Sequence, residues 1–103
     1  MFQCTWDPAK AARNHAKHRV TFAEAATTLE DPSGLDVHDA GHSGTEERHL
    51  RVAMSSEARI LTVVYTLRTE HGQTCYRLIS ARPASRRERG WYTGSSGAAD
   101  AGP

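Results

Sequence analysis

The sequence LISARPASRRERGWY, residues 78–92, changes from an apolar strand pattern to a basic helix pattern. Pro83 disfavours helix at Arg82 and ends the hydrogen-bond ladder of the strand. Ser85 predicts a helix N-cap, and Glu88 three residues later predicts the second half of a capping box. Residues 82–92 carry four arginines against one glutamate, a local charge of +3. A strand that ends in an arginine before a basic helical turn suits a phosphate-binding site, and a solvated basic helix is the equal alternative.

The length and composition predict one small domain over residues 1–92 with a flexible tail over 93–103. Of the 103 residues, 38% are hydrophobic and 24% charged, as in a soluble globular protein. No apolar run reaches the roughly 20 residues of a membrane helix, and the N-terminus shows no secretion signal. Cys4 and Cys75 form no CxxC pattern, which predicts reduced thiols and a cytoplasmic location.

The net charge of +1 conceals an uneven distribution along the chain. Residues 10–20 carry four basic side chains and no acid, for a charge of +4, whereas residues 21–50 carry a charge of −6. With the basic segment near residue 85, this gives two basic segments separated by an acidic one. Folding could bring the two basic segments together as an anion-binding face.

The first half of the chain predicts one strand and a helical hairpin. Alternation over residues 2–6 predicts a strand, and Asp7-Pro8 predicts the start of a helix that runs to about residue 17. Thr21 and Glu24 form a second capping-box pattern, which predicts a helix to about residue 29. Three cations of the first helix share one face because of their spacing: Lys10, Arg13 and Lys17.

The second half predicts a sheet. A short edge strand over residues 35–38 and a polar loop over 39–46 precede three strand patterns at about 48–54, 59–68 and 74–82. The second of these is apolar on both faces, as expected of a central strand. Short connections between the three predict an antiparallel meander. The expected fold is therefore α+β, in the order β-α-α-β-β-β-α, with an antiparallel sheet packed against helices.

This order of elements, together with the motifs along it, resembles the BrnT family of toxins from bacterial type II toxin–antitoxin systems. The likeness extends over nearly everything except the tail. The chain departs from the family at Arg19, where the family usually has glycine. The residues that carry the resemblance are Phe2, Trp6 to Lys10, Asn14, Lys17-His18, Val20 to Ala25, Asp31-Pro32, Glu46 to Arg48, Met54-Ser55 and Ile79 to Arg89.

The resemblance implies a RelE-like fold and a ribonuclease that blocks translation. It also implies a cognate antitoxin, BrnA-like and DNA-binding, that neutralises the toxin. The complex of the two would repress its own operon by binding operator DNA. No cofactor is expected, and a degraded toxin remnant that still binds its antitoxin is an alternative that Arg19 leaves open.

Metal-independent RNA cleavage needs a base for the 2′-hydroxyl, cations for the phosphorane and an acid for the leaving oxygen. His18 is the first acid–base candidate because imidazole titrates near neutral pH. Its alternative role is to satisfy free carbonyls at the helix end. Arg82 could bind the phosphate through both guanidinium nitrogens, or could be a surface arginine paired with a carboxylate.

Three further side chains are catalytic candidates. Arg48 and Arg68, at or near strand ends, could join Arg82 if the sheet pairs as expected, or could pair with a carboxylate such as Glu47. Tyr92 follows Glu88 by one turn and could face the same pocket, or could be a packed aromatic. The predicted RNA-binding residues are Lys10, Arg13, Lys17, Arg86 and Arg89.

A metal site is weakly indicated. His38, His42 and His49 lie near acidic residues, but the first two fall in or beside a loop, without helical i, i+4 spacing. We therefore expect no metal. The rival to the enzyme is a non-catalytic module that binds nucleic acid or a protein partner, because both explain the basic segments.

Overall fold

The computed structural model of the chain describes residues 3–39 and 47–94. Residues 95–103 of the predicted tail and residues 40–46 of the predicted polar loop therefore lie outside the described residues, whereas Thr93, where the tail was predicted to begin, is the last residue of the final helix. None of the described helices is long and apolar enough to cross a membrane. In chain order the elements are β1 (Gln3–Thr5), α1 (Pro8–His18), α2 (Phe22–Thr27), a 3₁₀ turn (Thr28–Glu30), β2 (Leu35–Asp39), β3 (Arg48–Met54), β4 (Ile60–Glu70), β5 (Gln73–Pro83) and α3 (Arg86–Thr93).

The strands form a five-stranded mixed sheet in the order β1-β5-β4-β3-β2. The three long strand predictions and the short edge strand are confirmed, and β2 to β5 pair as an antiparallel meander. The prediction of a purely antiparallel sheet is wrong, because β1 pairs with β5 in parallel. The short connections between consecutive strands indicated antiparallel neighbours. β1 and β5 are instead far apart in the sequence, so no short connection constrains their relative direction. The observed order is β-α-α-β-β-β-β-α.

Both helices of the hairpin begin where the sequence indicates. The Asp7 side chain accepts the Ala9 N–H at 2.9 Å, and the Thr21 hydroxyl accepts the Glu24 N–H at 3.0 Å. The second capping box is only half formed, because the Glu24 carboxylate accepts hydrogen bonds from Ser55 and Arg59 instead. Glu24 thereby ties α2 to the β3–β4 turn.

The end of α1 explains why glycine would suit position 19. Arg19 is the C-cap residue of α1, with φ 58° and ψ 33°, in the left-handed region. Its N–H donates to the His15 carbonyl at 2.9 Å, and its own carbonyl accepts a hydrogen bond from Arg59. A residue with a Cβ is strained in this conformation, whereas glycine adopts it freely.

Replacing Arg19 by glycine is expected to raise the free energy of unfolding by about 0.5–1 kcal/mol, because the left-handed strain is relieved. The measurement is a urea unfolding curve followed by circular dichroism. An Arg19→Ala variant removes the same charge but keeps the Cβ, so its curve should match that of the wild type. Equal gains in both variants would assign the effect to charge rather than to backbone strain.

The core lies between α1, α2 and one face of the sheet. Trp6 is partly buried and meets the Phe22 ring edge-on at 6.0 Å between centroids. Along β4 the odd-numbered residues 61, 63 and 65 face this core, so the even-numbered residues face the opposite side. We call that opposite side the α3 face. The buried cluster consists of Val20, Phe22, Ala25, Leu61, Val63, Tyr65, Leu78 and Ala81.

A bulge in β5 sets which side chains share the α3 face. Val64 pairs with Ser80 and Tyr65 with Leu78, which leaves Ile79 as the extra residue. In a regular strand, Arg77 and Arg82 would point to opposite faces because they are five residues apart. The bulge reverses this, so that Arg77 pairs with Thr66 and Arg82 with Thr62 on the same face of the sheet.

Candidate functional site

Three arginines predicted to contact substrate come from three different strands and project on the α3 face. Arg82 pairs with Thr62, and Arg68 lies six residues further along β4. His49 pairs with Tyr65, and both face the core. Arg48 is one residue from His49, so it points to the opposite face, as Arg68 does. Along β4 the level of Arg68 is six residues, about 20 Å, from that of Arg82, and the level of Arg48 is four residues, about 13 Å, away, so the register places neither side by side with Arg82. The expectation that they join Arg82 is corrected by this register.

Arg82 is held by a buried carboxylate. Its Nη1 and Nη2 atoms donate to Glu88 Oε1 at 2.7 Å and Oε2 at 2.9 Å. Glu88 Oε1 also accepts the Thr62 hydroxyl at 2.8 Å and the Ser85 N–H at 2.8 Å. The Ser85 hydroxyl in turn accepts the Glu88 N–H at 3.1 Å, which completes the predicted capping box. One carboxylate therefore caps α3 and orients Arg82.

The charges of this pair are fixed at neutral pH. The Arg82 guanidinium lowers the pKa of Glu88 to about 2; burial opposes this shift, and the Ser85 N–H and Thr62 hydroxyl add to it. The hydrogen bonds that Arg82 donates to Glu88 likewise raise the pKa of Arg82. The Glu88 side chain is 10% exposed, whereas that of Arg82 is 39% exposed. Arg82 therefore presents a permanent, oriented positive charge to solvent.

The last turn of α1 lies beside the end of β5. Asn14, one turn before His18, donates to the Ala81 carbonyl at 2.8 Å and accepts the Ala81 N–H at 3.0 Å. Ala81 is the residue before Arg82, so this contact places the two elements side by side. His18 is partly buried in this last turn. The three predicted RNA-binding cations of α1 are exposed: Lys10, Arg13 and Lys17.

The two predicted RNA-binding arginines of α3 lie in its first turns. Arg86 is exposed at the start of the helix. Arg89 is also exposed, and its Nη1 donates to the Ala84 carbonyl at 2.8 Å. Arg87, between them, lies 5.8 Å from the ring centroid of Trp91. The α3 N-terminus therefore adds exposed positive charge close to Arg82.

Tyr92 does not face Arg82. Its hydroxyl donates to Asp31 Oδ2 at 2.7 Å, and the same oxygen accepts the Met54 N–H at 2.8 Å. The hydrogen bond to Asp31 raises the pKa of Tyr92, and burial adds to the shift. Tyr92 thus joins Asp31, Met54 and Ser55 in lining an open groove of about 680 Å³. The hydrogen bond to Asp31, in place of a contact with Arg82, favours the alternative in which Tyr92 has a structural role at the end of the domain.

Sequence reasoning missed a row of rings on the helix-covered side of the sheet. His38, His49, Tyr65 and Tyr76 lie on four adjacent strands, with successive centroids 5.4, 5.3 and 5.0 Å apart. His49 and Tyr65 are stacked, at an interplanar angle of 18°. The signal was present as alternation within each strand, but only the register aligns the four rings.

The weak indication of a metal site gains no support from the parts of the chain that the structure describes. Residues 3–39 and 47–94 contain no group of three or more histidine, cysteine or carboxylate side chains that could hold a metal ion. His38 instead lies 3.6 Å from Glu47 and beside the His49 ring. His42, the third histidine considered, lies outside the described residues.

The sequence matches a family model over residues 6–88. The family is described as "Ribonuclease toxin, BrnT, of type II toxin-antitoxin system". The match begins at Trp6 and ends at Glu88, and so contains the α1 cations, His18, Arg48, Arg68 and Arg82. No curated protein matches the chain.

The fold is similar to a solved structure. The crystal structure of the Brucella abortus ribonuclease toxin BrnT superposes with a TM-score of 0.59. The match covers 84% of this chain and 100% of that chain, at 23% sequence identity. At this identity the likeness concerns the fold, and it agrees with the family match.

Proposed function

Because the chain belongs to the BrnT family of ribonuclease toxins from type II toxin–antitoxin systems, we propose that it is a metal-independent endoribonuclease that inhibits translation. The observation that carries the proposal is Arg82, which Glu88 holds at the end of β5 with its guanidinium partly exposed. We also propose that the fold is RelE-like, with RNA bound across α1, the strand ends and the start of α3.

Arg82 provides the cation for the reaction. As the 2′-oxygen attacks the phosphorus, negative charge accumulates on the phosphorane oxygens, and a fixed guanidinium stabilises that charge without reorganising. Glu88 already takes up two donors of Arg82, and the outward side of the guanidinium faces the substrate. The exposed cations of α1, with Arg86 and Arg89, would bind the flanking phosphates.

His18 is the proposed acid–base group. It lies in the last turn of α1, which the Asn14–Ala81 contact places beside the end of β5. A neutral imidazole would take the 2′-hydroxyl proton, and the imidazolium would return a proton to the leaving 5′-oxygen. We assign no proton transfer to Tyr92, because its hydroxyl is donated to Asp31.

The remaining parts of the proposal concern partners and place. The family implies an antitoxin that neutralises the enzyme, and we propose a BrnA-like, DNA-binding partner. The complex would bind operator DNA and repress its operon. We further propose that the toxin acts in the cytoplasm, where its RNA substrate and the translation machinery are found.

The direct test is RNA cleavage by purified protein in excess chelator. The His18→Ala variant is expected to lose about 10²–10⁴-fold in rate, as for removal of a general acid or base. Its matched control is His15→Ala, which removes an exposed histidine one turn earlier in α1. Arg82→Lys keeps a positive charge beside Glu88 but cannot form the bidentate contact. We expect its cleavage rate to fall by about 10²-fold or more.

The outcomes separate the enzyme from the binding module. Chelator-resistant cleavage that both folded variants lose would support a metal-independent ribonuclease acting at this site. Folded wild-type protein that binds RNA without cleaving it, free or on ribosomes, would support the non-catalytic module instead. Arg87→Ala, which removes another exposed arginine of α3, should leave cleavage within about twofold of wild type.

A further inference from the structure

The hydroxyl of Thr66 is a buried polar group without a partner. Thr66 lies in the middle of β4 and is 2% exposed. Its Oγ1 atom is buried and has no hydrogen-bond partner. Within residues 3–39 and 47–94, no other buried side-chain oxygen or nitrogen atom of a residue that is not exposed lacks one. Buried hydroxyls are normally satisfied, as that of Thr62 is by Glu88. Such an orphaned hydroxyl calls for an explanation, and a ligand that hydrogen-bonds to it is one.

Arginines from the neighbouring strands flank Thr66 on the α3 face. Arg77 of β5 pairs directly with Thr66. Arg48 belongs to β3, the strand on the other side of β4. His49 pairs with Tyr65 and the strands are antiparallel, so Arg48 lies opposite Thr66. Paired residues on adjacent strands are about 5 Å apart and share a face, so the three side chains form one row across the sheet.

The nearby charges favour an anion. Arg77 donates a long hydrogen bond, 3.4 Å, to the Thr5 hydroxyl, a neutral partner that a charged ligand can displace. Arg68 is the next residue on the same face of β4. Asp39 of β2 lies opposite Arg48 in the strand register, which puts a carboxylate near Arg48, so a bound anion would depend chiefly on Arg77.

We propose that Thr66, Arg77 and Arg48 form a second phosphate-binding site for the RNA strand. The hydroxyl of Thr66 would donate to a phosphodiester oxygen, and the guanidiniums would balance its charge. Thr66 and Thr62, the partner of Arg82, are four residues apart on β4, which is about 13 Å. An RNA strand lying along β4 on the α3 face would therefore contact both sites. This inference rests on the proposed ribonuclease function, whose substrate path it specifies.

The test uses Thr66→Val, which replaces the hydroxyl with a methyl group of the same shape. Because the hydroxyl has no partner, the variant should unfold at a urea concentration equal to or above that of the wild type. Binding of a fluorescent RNA whose 2′-hydroxyls are all methylated should weaken about tenfold, as measured by anisotropy. Arg77→Gln should weaken RNA binding further. It should also reduce the slope of log affinity against log salt concentration by about one, the contribution of one released counterion. Thr69→Val, an exposed threonine of the same strand, is the control.

Each outcome decides the proposal. Loss of binding in Thr66→Val and Arg77→Gln, with unchanged Thr69→Val, supports the site, whether or not the wild type cleaves unmodified RNA. If the wild type cleaves and both variants bind and cleave like it, the site is wrong and the proposed function stands. A Thr66→Val protein that unfolds at lower urea would show a structural role for the hydroxyl and would overturn the inference.

Discussion

Replacing Asn14 by alanine is expected to lower the free energy of unfolding by about 3 kcal/mol. The Asn14 side chain is 6% exposed, and its amide forms hydrogen bonds with backbone groups near the end of β5 that a neighbouring strand would otherwise form. It accepts the Ala81 N–H at 3.0 Å and donates to the carbonyls of Ala81 and Val20 at 2.8 and 3.0 Å. Alanine would leave these buried backbone groups unpaired, and each costs about 1–3 kcal/mol when unsatisfied.

The measurement is urea unfolding followed by circular dichroism. A loss of this size corresponds to a fall in Tm of roughly 12–24 °C for a domain of this length. Asn14→Asp is informative because a carboxylate still accepts from Ala81 but cannot donate to either carbonyl, so it should also be strongly destabilised. His15→Ala, at an exposed neighbouring position, should change stability by less than about 0.5 kcal/mol. An Asn14→Ala protein as stable as wild type would contradict this account of the contact.

Acid should remove the stability that Glu88 contributes. Folding lowers the pKa of Glu88 from 4.5 to about 2, so the folded protein binds fewer protons than the unfolded chain in that range. Stability from this group is therefore fully present above about pH 5 and is lost as the pH falls towards 2. Allowing for the partial exposure of Arg82, we expect the loss to be about 2 kcal/mol.

The Glu88→Gln variant isolates this contribution. Glutamine has nearly the same shape but no charge, so the variant should be less stable than wild type at pH 7 by about 2 kcal/mol. The gap should narrow as the pH falls through 4 to 2, because the wild-type carboxyl also becomes neutral. Glu24 and Asp31, whose pKa values are also lowered, titrate in both proteins and cancel in the difference. A gap that is constant from pH 7 to pH 2.5 would show that the ion pair contributes nothing.

Local sequence signals predicted the elements well. The Asp7-Pro8 start of α1 and the complete capping box of Ser85 and Glu88 are present as expected. These features involve atoms a few residues apart, so short sequence patterns contain all the information they need. The same holds for the edge strand and the three long strands, whose alternation and turns are local properties.

The candidate site was predictable in composition but not in arrangement. The place of Arg82 before Pro83 predicts its role, but the sequence pattern around Glu88, its bidentate partner, predicts only a helix cap. The structure shows that one carboxylate serves both roles and also accepts a hydrogen bond from Thr62 on β4. Tyr92 was expected near Glu88 and instead reaches Asp31, which is 61 positions away in the chain. Such partners depend on how elements pack, and no local pattern specifies them.

The sequence by itself determined where the helices begin, roughly where the strands lie, which side chains are basic, and the family resemblance. Only the tertiary structure decided that β1 runs parallel to β5, and that the bulge at Ile79 turns Arg77 to the face that carries Arg82. The physical reason is that side chains alternate with every residue of a strand, so one extra residue reverses the face of all that precede it. That register depends on the pairing of strands that are distant in the sequence, so no single segment of the chain determines it.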